Sequence, residues 1–280
     1  MMIWEAMLKT ISKSLPPNAL TVFASLDPTA NWDPDFRDYA VPPNASGHDY
    51  KQIKQLLLAD QGGLCAYCER PLGDLGPSSQ RVEHYHPKSD KSVPLINWGL
   101  RWDNVILVCT GGEQDDGDIY PRPVNLSCDS YKNHWLRTFN LSSVQLLTLL
   151  SGLQNPLTLA PFPCPFDFDL LTGRFTVNEP ICSEIDGLLG LSANATFTSL
   201  DKTVNIALNL NCDRLCTDRL QVLIQYNRER EQARKRKDKD FRQKLAAKWF
   251  SKKWPSYFTT RRILLGQAAE AKLVALGYTG

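Results

Sequence analysis

Long apolar runs are missing from this chain: none approaches the ~20 residues that a membrane-spanning helix needs. The opening Met1-Met2-Ile3-Trp4-Glu5-Ala6 lacks the basic region and long apolar core of a secretory signal, so the expectation is a cytoplasmic protein with no membrane partner. No internal repeat is evident. A large net charge is also absent, since the formal total is only +2. What is present is an ordinary folded composition, 42% hydrophobic and 22% charged, which excludes a disordered chain. The 280 residues suffice for one large domain or two modest ones.

Eight cysteines in such a chain are expected to be free or metal-bound rather than disulfide-bonded. Cys65-Ala-Tyr-Cys68 is a C-x-x-C step with an aromatic inside it, and that spacing lets two thiolates reach one zinc ion. A redox C-x-x-C would sit between a strand and a helix of a βαβ unit, a pattern absent at this point. Cys109 and Cys128 are expected to complete the zinc site. The glycine- and acid-rich stretch from Gly111 to Pro123 is then an insertion whose two ends return to the metal. Cys164, Cys182, Cys212 and Cys216 are expected to pack as small hydrophobes.

Between the cysteine pairs lies Glu83-His84-Tyr85-His86-Pro87-Lys88. Hydrolysis of a phosphodiester needs a base for water and a cation at the phosphate. A neutral imidazole suits the first role near pH 7, and carboxylates hold hard cations such as Mg²⁺ or Mn²⁺. His84 is thus the candidate base and Glu83 a candidate ligand, with Asp129 as a second carboxylate. Asn104 is a candidate to hold the histidine loop through its side chain. Lys88 and Lys132 are candidate phosphate contacts. His86, placed on the same strand face as His84, is a candidate substrate contact. His134, just over a helical turn beyond Asp129, is expected on the surface or behind the site.

The string Cys65-x-x-Cys68, Glu83-His84-x-x-Pro87-Lys88-Ser89, Trp102-x-Asn104-Val105-Ile106-Leu107-Val108-Cys109, Cys128-Asp129-x-x-Lys132 resembles the ββα-metal HNH endonucleases with a four-cysteine zinc site. Within them it looks closest to the PtuB-like HNH proteins of Septu and some retron antiphage systems. The resemblance covers residues from about 60 to 135, with a weaker match from Leu208 to Arg219. It implies His84 as general base, Glu83 as a ligand of a catalytic Mg²⁺ or Mn²⁺, Asn104 in the middle position and Asp129 in the final one. It implies an effector nuclease of antiviral defence, with DNA as the first substrate expected. The implied partners are a PtuA-like ATPase of the ABC/SMC type and a retron reverse transcriptase with its reverse-transcribed DNA. The residues leave two alternatives open: RNA such as tRNA as substrate, and a zinc-stabilised nucleic-acid-binding adaptor without catalysis.

The expected fold is α+β, mainly α. A helical arm covers 1–60, a ββα-metal nuclease core with the zinc site covers 61–140, and a mainly helical region covers 141–280. The arm is read as a short helix, a loop interrupted by Pro16-Pro17, Asp33-Pro34 and Pro42-Pro43, and a helix from Tyr50 to Ala59 stopped by Gly62-Gly63. Leu141 to Leu153 is expected to be helical, and Leu170 to Val177 to belong to a β-hairpin. Gln221 to Lys253 reads as one long helix. Between Arg228 and Lys253 it carries twelve Lys/Arg and four Asp/Glu, a net of +8 suited to nucleic acid or a partner. The aromatics Trp249, Phe250, Trp254, Tyr257 and Phe258 are expected to pack or dock rather than stack on bases.

Overall fold

Val105-Ile106-Leu107-Val108-Cys109 has no polar residue, and such a run is stable as a strand only when covered on both faces. The computed structural model, which describes residues 11–73, 76–139, 164–251 and 254–277, meets that condition. Strand β2 (Val105–Cys109) is buried along its whole length. It pairs antiparallel with β1 (Gln80–His84), from Gln80 opposite Cys109 to His84 opposite Val105. Helices α2 (His48–Asp60) and α3 (Cys128–Thr138) both pack on β2. The free edge of β2 is satisfied without a third strand. The Gln61 side chain accepts from Leu107 N at 2.7 Å and donates to Leu107 O at 2.7 Å, and Ala66 N also donates to that oxygen. Capped this way, the edge offers no ladder to another chain.

The proline-rich stretch before α2 is more ordered than a loop. Helix α1 (Asn18–Leu26) begins directly after Pro17, where a missing N–H removes no intrahelical bond. Phe23 packs on Phe36 at 5.2 Å, and Trp32 on Phe36 at 4.9 Å, within a wide helical turn from Trp32 to Phe36. Helix α2 ends at the expected glycines. At Gly62 (φ +61) a Cβ would lie 2.2 Å from Cδ1 of Trp254, so only glycine admits the close approach of that ring.

Beyond α3, a short hairpin joins β3 (Phe166–Phe168) to β4 (Phe175–Val177), as expected for that stretch. Helices α4 (Glu179–Leu189) and α5 (Ala195–Asp201) follow. Then come α6 (Asp213–Lys235), α7 (Phe241–Trp249), α8 (Phe258–Leu265) and α9 (Gln267–Ala275). The single basic helix expected from Gln221 to Lys253 is two helices. The chain turns at Lys237 (φ 54), and Asp238 holds the turn by accepting from Asp240 N and from Lys244 Nζ. Trp249, Phe250, Trp254 and Phe258 are buried and pack on one another and their neighbours. Cys182, Cys212 and Cys216 lie in the core. The expected helix from 141 to 153 lies outside the described residues. With two small sheets among many helices, the described chain is α+β, mainly α. No helix among the described residues is long and apolar enough to cross a membrane.

Candidate metal centre and acid–histidine cavity

Cys65 and Cys68 sit on the turn between α2 and β1, Cys109 ends β2, and Cys128 opens α3. Their sulfurs converge: Sγ–Sγ is 3.9 Å for Cys65–Cys128, 3.7 Å for Cys68–Cys109 and 3.8 Å for Cys109–Cys128. A tetrahedral zinc with Zn–S bonds of about 2.3 Å requires sulfur separations of about 3.8 Å. All four residues are buried and their sulfurs lie within 4.8 Å of one another. These distances are far beyond the ~2.05 Å of a disulfide, so the donor set fits a structural zinc. The backbone amides of Cys109 and Gly111 donate to Sγ of Cys65 and Cys109, each at 3.4 Å. Gly111 (φ +59) must be glycine, since a Cβ there would meet Ser127 O at 2.1 Å.

A tetrathiolate zinc carries net negative charge, and the fold places cations beside it. Arg214, 1% exposed, approaches from α6 and helps hold the Cys109 thiol well below its usual value, after the stronger effect of its sulfur neighbours Cys128, Cys65 and Cys68. Its guanidinium donates to Ser127 Oγ at 2.6 Å and lies 3.1 Å from Asp115, which also pairs with Arg70 at 2.8 Å. The acids of the expected insertion are therefore used: Asp115 binds these two arginines and Glu113 binds Arg81. Glu69, immediately after Cys68, accepts from Thr259 N and Oγ1 at 2.8 and 2.7 Å, tying the cysteine turn to α8.

The acid–histidine step lies at the other end of β1. Glu83, His84, Lys88, Asp129 and Lys132 line one cavity of about 440 Å³ between β1, the turn after it, and α3. His84 is 8% exposed. One of its ring nitrogens, Nε2, lies 3.0 Å from Gly99 O, which can only accept, so Nε2 carries the proton and Nδ1 is the basic nitrogen. Burial, opposed by that bond and reinforced by Lys88 and Lys13, lowers its pKa to about 4. His84 is thus neutral at pH 7. Burial raises the Asp129 carboxyl to about 6, against the pull of Arg81 and a 2.7 Å bond from Asn133. Between the two carboxylates sits the Lys132 ammonium, paired with Glu83 and 3.8 Å from Asp129. Burial lowers Lys132 to about 8. Glu83 and Asp129 are thus both buried beside the Lys132 ammonium, and Mg²⁺, which keeps several waters, needs only one or two protein carboxylates.

The remaining candidates fall in different places. Asn104 does not face the cavity. Its Oδ1 accepts from His86 N at 2.7 Å, and its Nδ2 donates to His86 O and Trp98 O at 2.9 and 2.8 Å. It therefore clamps the 85–104 connection onto the end of the strand pair. That connection makes β1 and β2 an antiparallel pair rather than a tight hairpin. His86 lies beyond the end of β1, so it does not share a strand face with His84. It bonds Asp90 at 2.6 Å and stacks on Trp98 at 4.0 Å. His134 lines a separate cavity with Trp135 and Phe139. Removing the Asn104 clamp strands three part-buried backbone groups at about 1 kcal/mol each, so Asn104→Ala is expected to cost about 3 kcal/mol. In a chain of this size that lowers the melting temperature by roughly 6–10 °C. Thermal denaturation checks this, and a shift below about 1 °C would contradict it.

Sequence reasoning did not single out Gln61, Glu69, Arg81 or Arg214. Each is one polar residue among many until the fold buries it against a specific partner.

These features define a class: an α+β, mainly helical protein with a buried four-cysteine cluster that could hold a metal ion and an adjoining acid–histidine cavity. The chain is 35% identical over 220 residues to an Escherichia coli protein named "Retron Ec83 putative HNH endonuclease", a match that covers 79% of this chain and 81% of that relative. It belongs to that HNH endonuclease family. No family model and no solved structure matches the chain.

Proposed function

We propose that this chain is a metal-dependent HNH endonuclease that hydrolyses phosphodiester bonds, with DNA as substrate, as the effector of a retron-type antiviral defence system. The observation that carries the reading is the gathering of Glu83, His84 and Asp129 around one cavity beside the cysteine cluster. The family relationship, with a relative named for a retron, supports it. In this reading β1, β2 and α3 are the ββα-metal core. Zinc on Cys65, Cys68, Cys109 and Cys128 fixes the start of α3 against β2.

Glu83 and Asp129 would hold Mg²⁺ or Mn²⁺, which supplies Lewis-acid stabilisation of the charge developing on the phosphate. His84 does the proton chemistry. Neutral and held in one tautomer by Gly99, it accepts a proton on Nδ1 from the attacking water as a new P–O bond forms and the leaving oxygen departs. Asn104 keeps the loop behind His84 in place. Lys88, on the cavity wall, contacts a phosphate oxygen, and Lys132 holds the two carboxylates together. His86 acts through the Asp90 and Trp98 contacts rather than by a free ring. The basic segment from Arg228 onward serves a partner, for which a PtuA-like ATPase is our candidate, with the retron reverse transcriptase and its DNA as the wider assembly in the cytoplasm.

The test is cleavage. Purified protein, alone and with an ATPase encoded beside it, is incubated with duplex DNA, single-stranded DNA and tRNA, with Mg²⁺, Mn²⁺ or EDTA. We expect DNA to be cut only when a divalent ion is present. Preferential tRNA cleavage would move the substrate to RNA, and binding without cleavage under every condition would sink the nuclease reading.

A further inference from the structure

A second cleft, of about 390 Å³, opens beside the acid–histidine cavity and shares Val82, His84 and Lys88 with it. Its other walls come from the N-terminal elements, which the chemistry above leaves unused: Trp32 from the wide turn, Arg37 just after it, and Tyr50 and Lys54 from α2. Arg81 on β1 completes a lining of four cations, with Asp33 as the acid among them.

Arg37 meets Asp33 at 3.3 Å, but both side chains are about half exposed, and such a pair holds weakly. Lys54 is held below its ordinary pKa first by burial and then by its cationic neighbours Arg37 and Lys51. Arg81 is paired with Glu113 and bonded to Ser130, so it faces the cleft from a fixed position. The lining is also aromatic. Arg37 and Lys54 each stand 5.7 Å from the Tyr50 ring, and Trp32 lies edge-on to His84 at 4.8 Å. Cations around an aromatic floor, continuous with the basic nitrogen of a hydrolytic site, suit one ligand class: a nucleic-acid strand, with a phosphate on the cations and a base or sugar against the ring. No described residue of the basic stretch from Arg228 to Lys253 lines either cavity.

We propose that the substrate strand crosses His84 from one cavity to the other, and that the phosphate beside the scissile one is held in this second cleft by Arg37 and Lys54, over Tyr50. This rests on the nuclease reading and adds where the strand lies. The N-terminal helices are then part of the substrate site rather than a separate arm.

The experiment is equilibrium binding in EDTA, where nothing is cut. A fluorescein-labelled single-stranded 20-mer is titrated by anisotropy across a series of salt concentrations. Each lost phosphate contact reduces the slope of log K against log salt by about 0.7 for a single strand. The double variant Arg37→Ala, Lys54→Ala is therefore expected to reduce the slope by about 1.4 and to weaken binding at low salt by tenfold or more. Lys54→Gln alone, a milder change, is expected to give half of that slope change. Circular dichroism establishes that each variant is folded. An unchanged slope overturns the assignment, as does a slope that responds only to Arg236→Ala and Lys239→Ala in the basic segment, or wild-type protein that binds no oligonucleotide. If the wild type cuts DNA with Mg²⁺ while the cleft variants bind like wild type, the cleft fails and the nuclease stands. If the slope responds but no condition gives cleavage, the nuclease reading fails and the cleft stands as a binding site.

Discussion

His84→Ala is expected to lower the cleavage rate by about 10²–10⁴-fold, the range that a positioned general base contributes, while zinc content and fold are retained. The side chain is set for that role by its surroundings: Gly99 O holds Nε2 at 3.0 Å, and Trp32 packs edge-on against the ring. Replacement by glutamine keeps polarity at the site but supplies no base, so it is expected to be equally inactive. The pH dependence separates a buried neutral histidine from an exposed one. The folded pKa of about 4 lies below the unfolded value of about 6.5.

Above pH 6.5 the ring is neutral in both states and its full contribution to stability is present. As pH falls from 6.5 towards 4, the unfolded chain takes up a proton first and about 3 kcal/mol is lost. Wild-type protein should therefore melt at a lower temperature at pH 5 than at pH 7.5, and His84→Ala should narrow that difference. The acid limb of the rate profile attributable to this group should also lie well below pH 6. Full cleavage by the alanine variant, or an acid sensitivity identical to that of wild type, would remove His84 from its assigned role.

Loss of the metal is expected to have the largest effect on stability. A structural zinc contributes about 10–16 kcal/mol of apparent binding free energy in small zinc domains, comparable to the whole stability of an ordinary domain. Cys128→Ser, or treatment with a strong chelator, should abolish the cooperative thermal transition of the cysteine-bearing part of the chain and reduce bound zinc from one per chain towards none. The consequences extend beyond the metal. Cys128 begins α3 in a left-handed conformation (φ 55), held by a 2.8 Å bond from its N–H to Leu208 O. Asp129 and Lys132 follow on the same helix, so freeing Cys128 releases one wall of the acid–histidine cavity. The Glu69–Thr259 bonds carry the loss on to α8. Cys182→Ser, at a core thiol away from the cluster, is expected to leave zinc content unchanged. Elemental analysis with melting curves checks both. A metal-free protein that melts and cuts as before would refute the structural assignment.

Much of the candidate chemistry was legible as a string. The C-x-x-C step, the adjacent Glu83-His84 and the Cys128-Asp129 pair are short-range patterns whose reach is set by covalent geometry, and the sulfurs do converge. The α2 stop and the β3–β4 hairpin were equally local, since glycine and turn residues act within a few positions. The basic segment misled because high helix propensity and charge conceal a turn. The Asp238 side chain favours a bend at Lys237 that no hydrophobic period marks. The proline stretch misled in the opposite sense, because Pro17 stands where a helix can begin. The role of the Leu208–Arg219 stretch also emerged only in three dimensions. Asn211 bonds both backbone groups of Phe175, and Arg219 donates to Gly173 O at 2.8 Å, so this segment pins the hairpin.

By itself, the sequence determined which donors and bases are available: four thiols, two carboxylates and a histidine whose types and local spacing suit metal binding and proton transfer. Tertiary structure alone decided which of them meet. The burial of β2 beneath α2 and α3 brings Cys65 and Cys128 to 3.9 Å across sixty-three positions of chain, while Arg214 comes to lie near the thiols and Arg37 and Lys54 line a cleft that His84 also lines. The physical reason is that ligand identity resides in single residues, whereas the distance, burial and field around each one come from apolar packing between segments far apart in sequence.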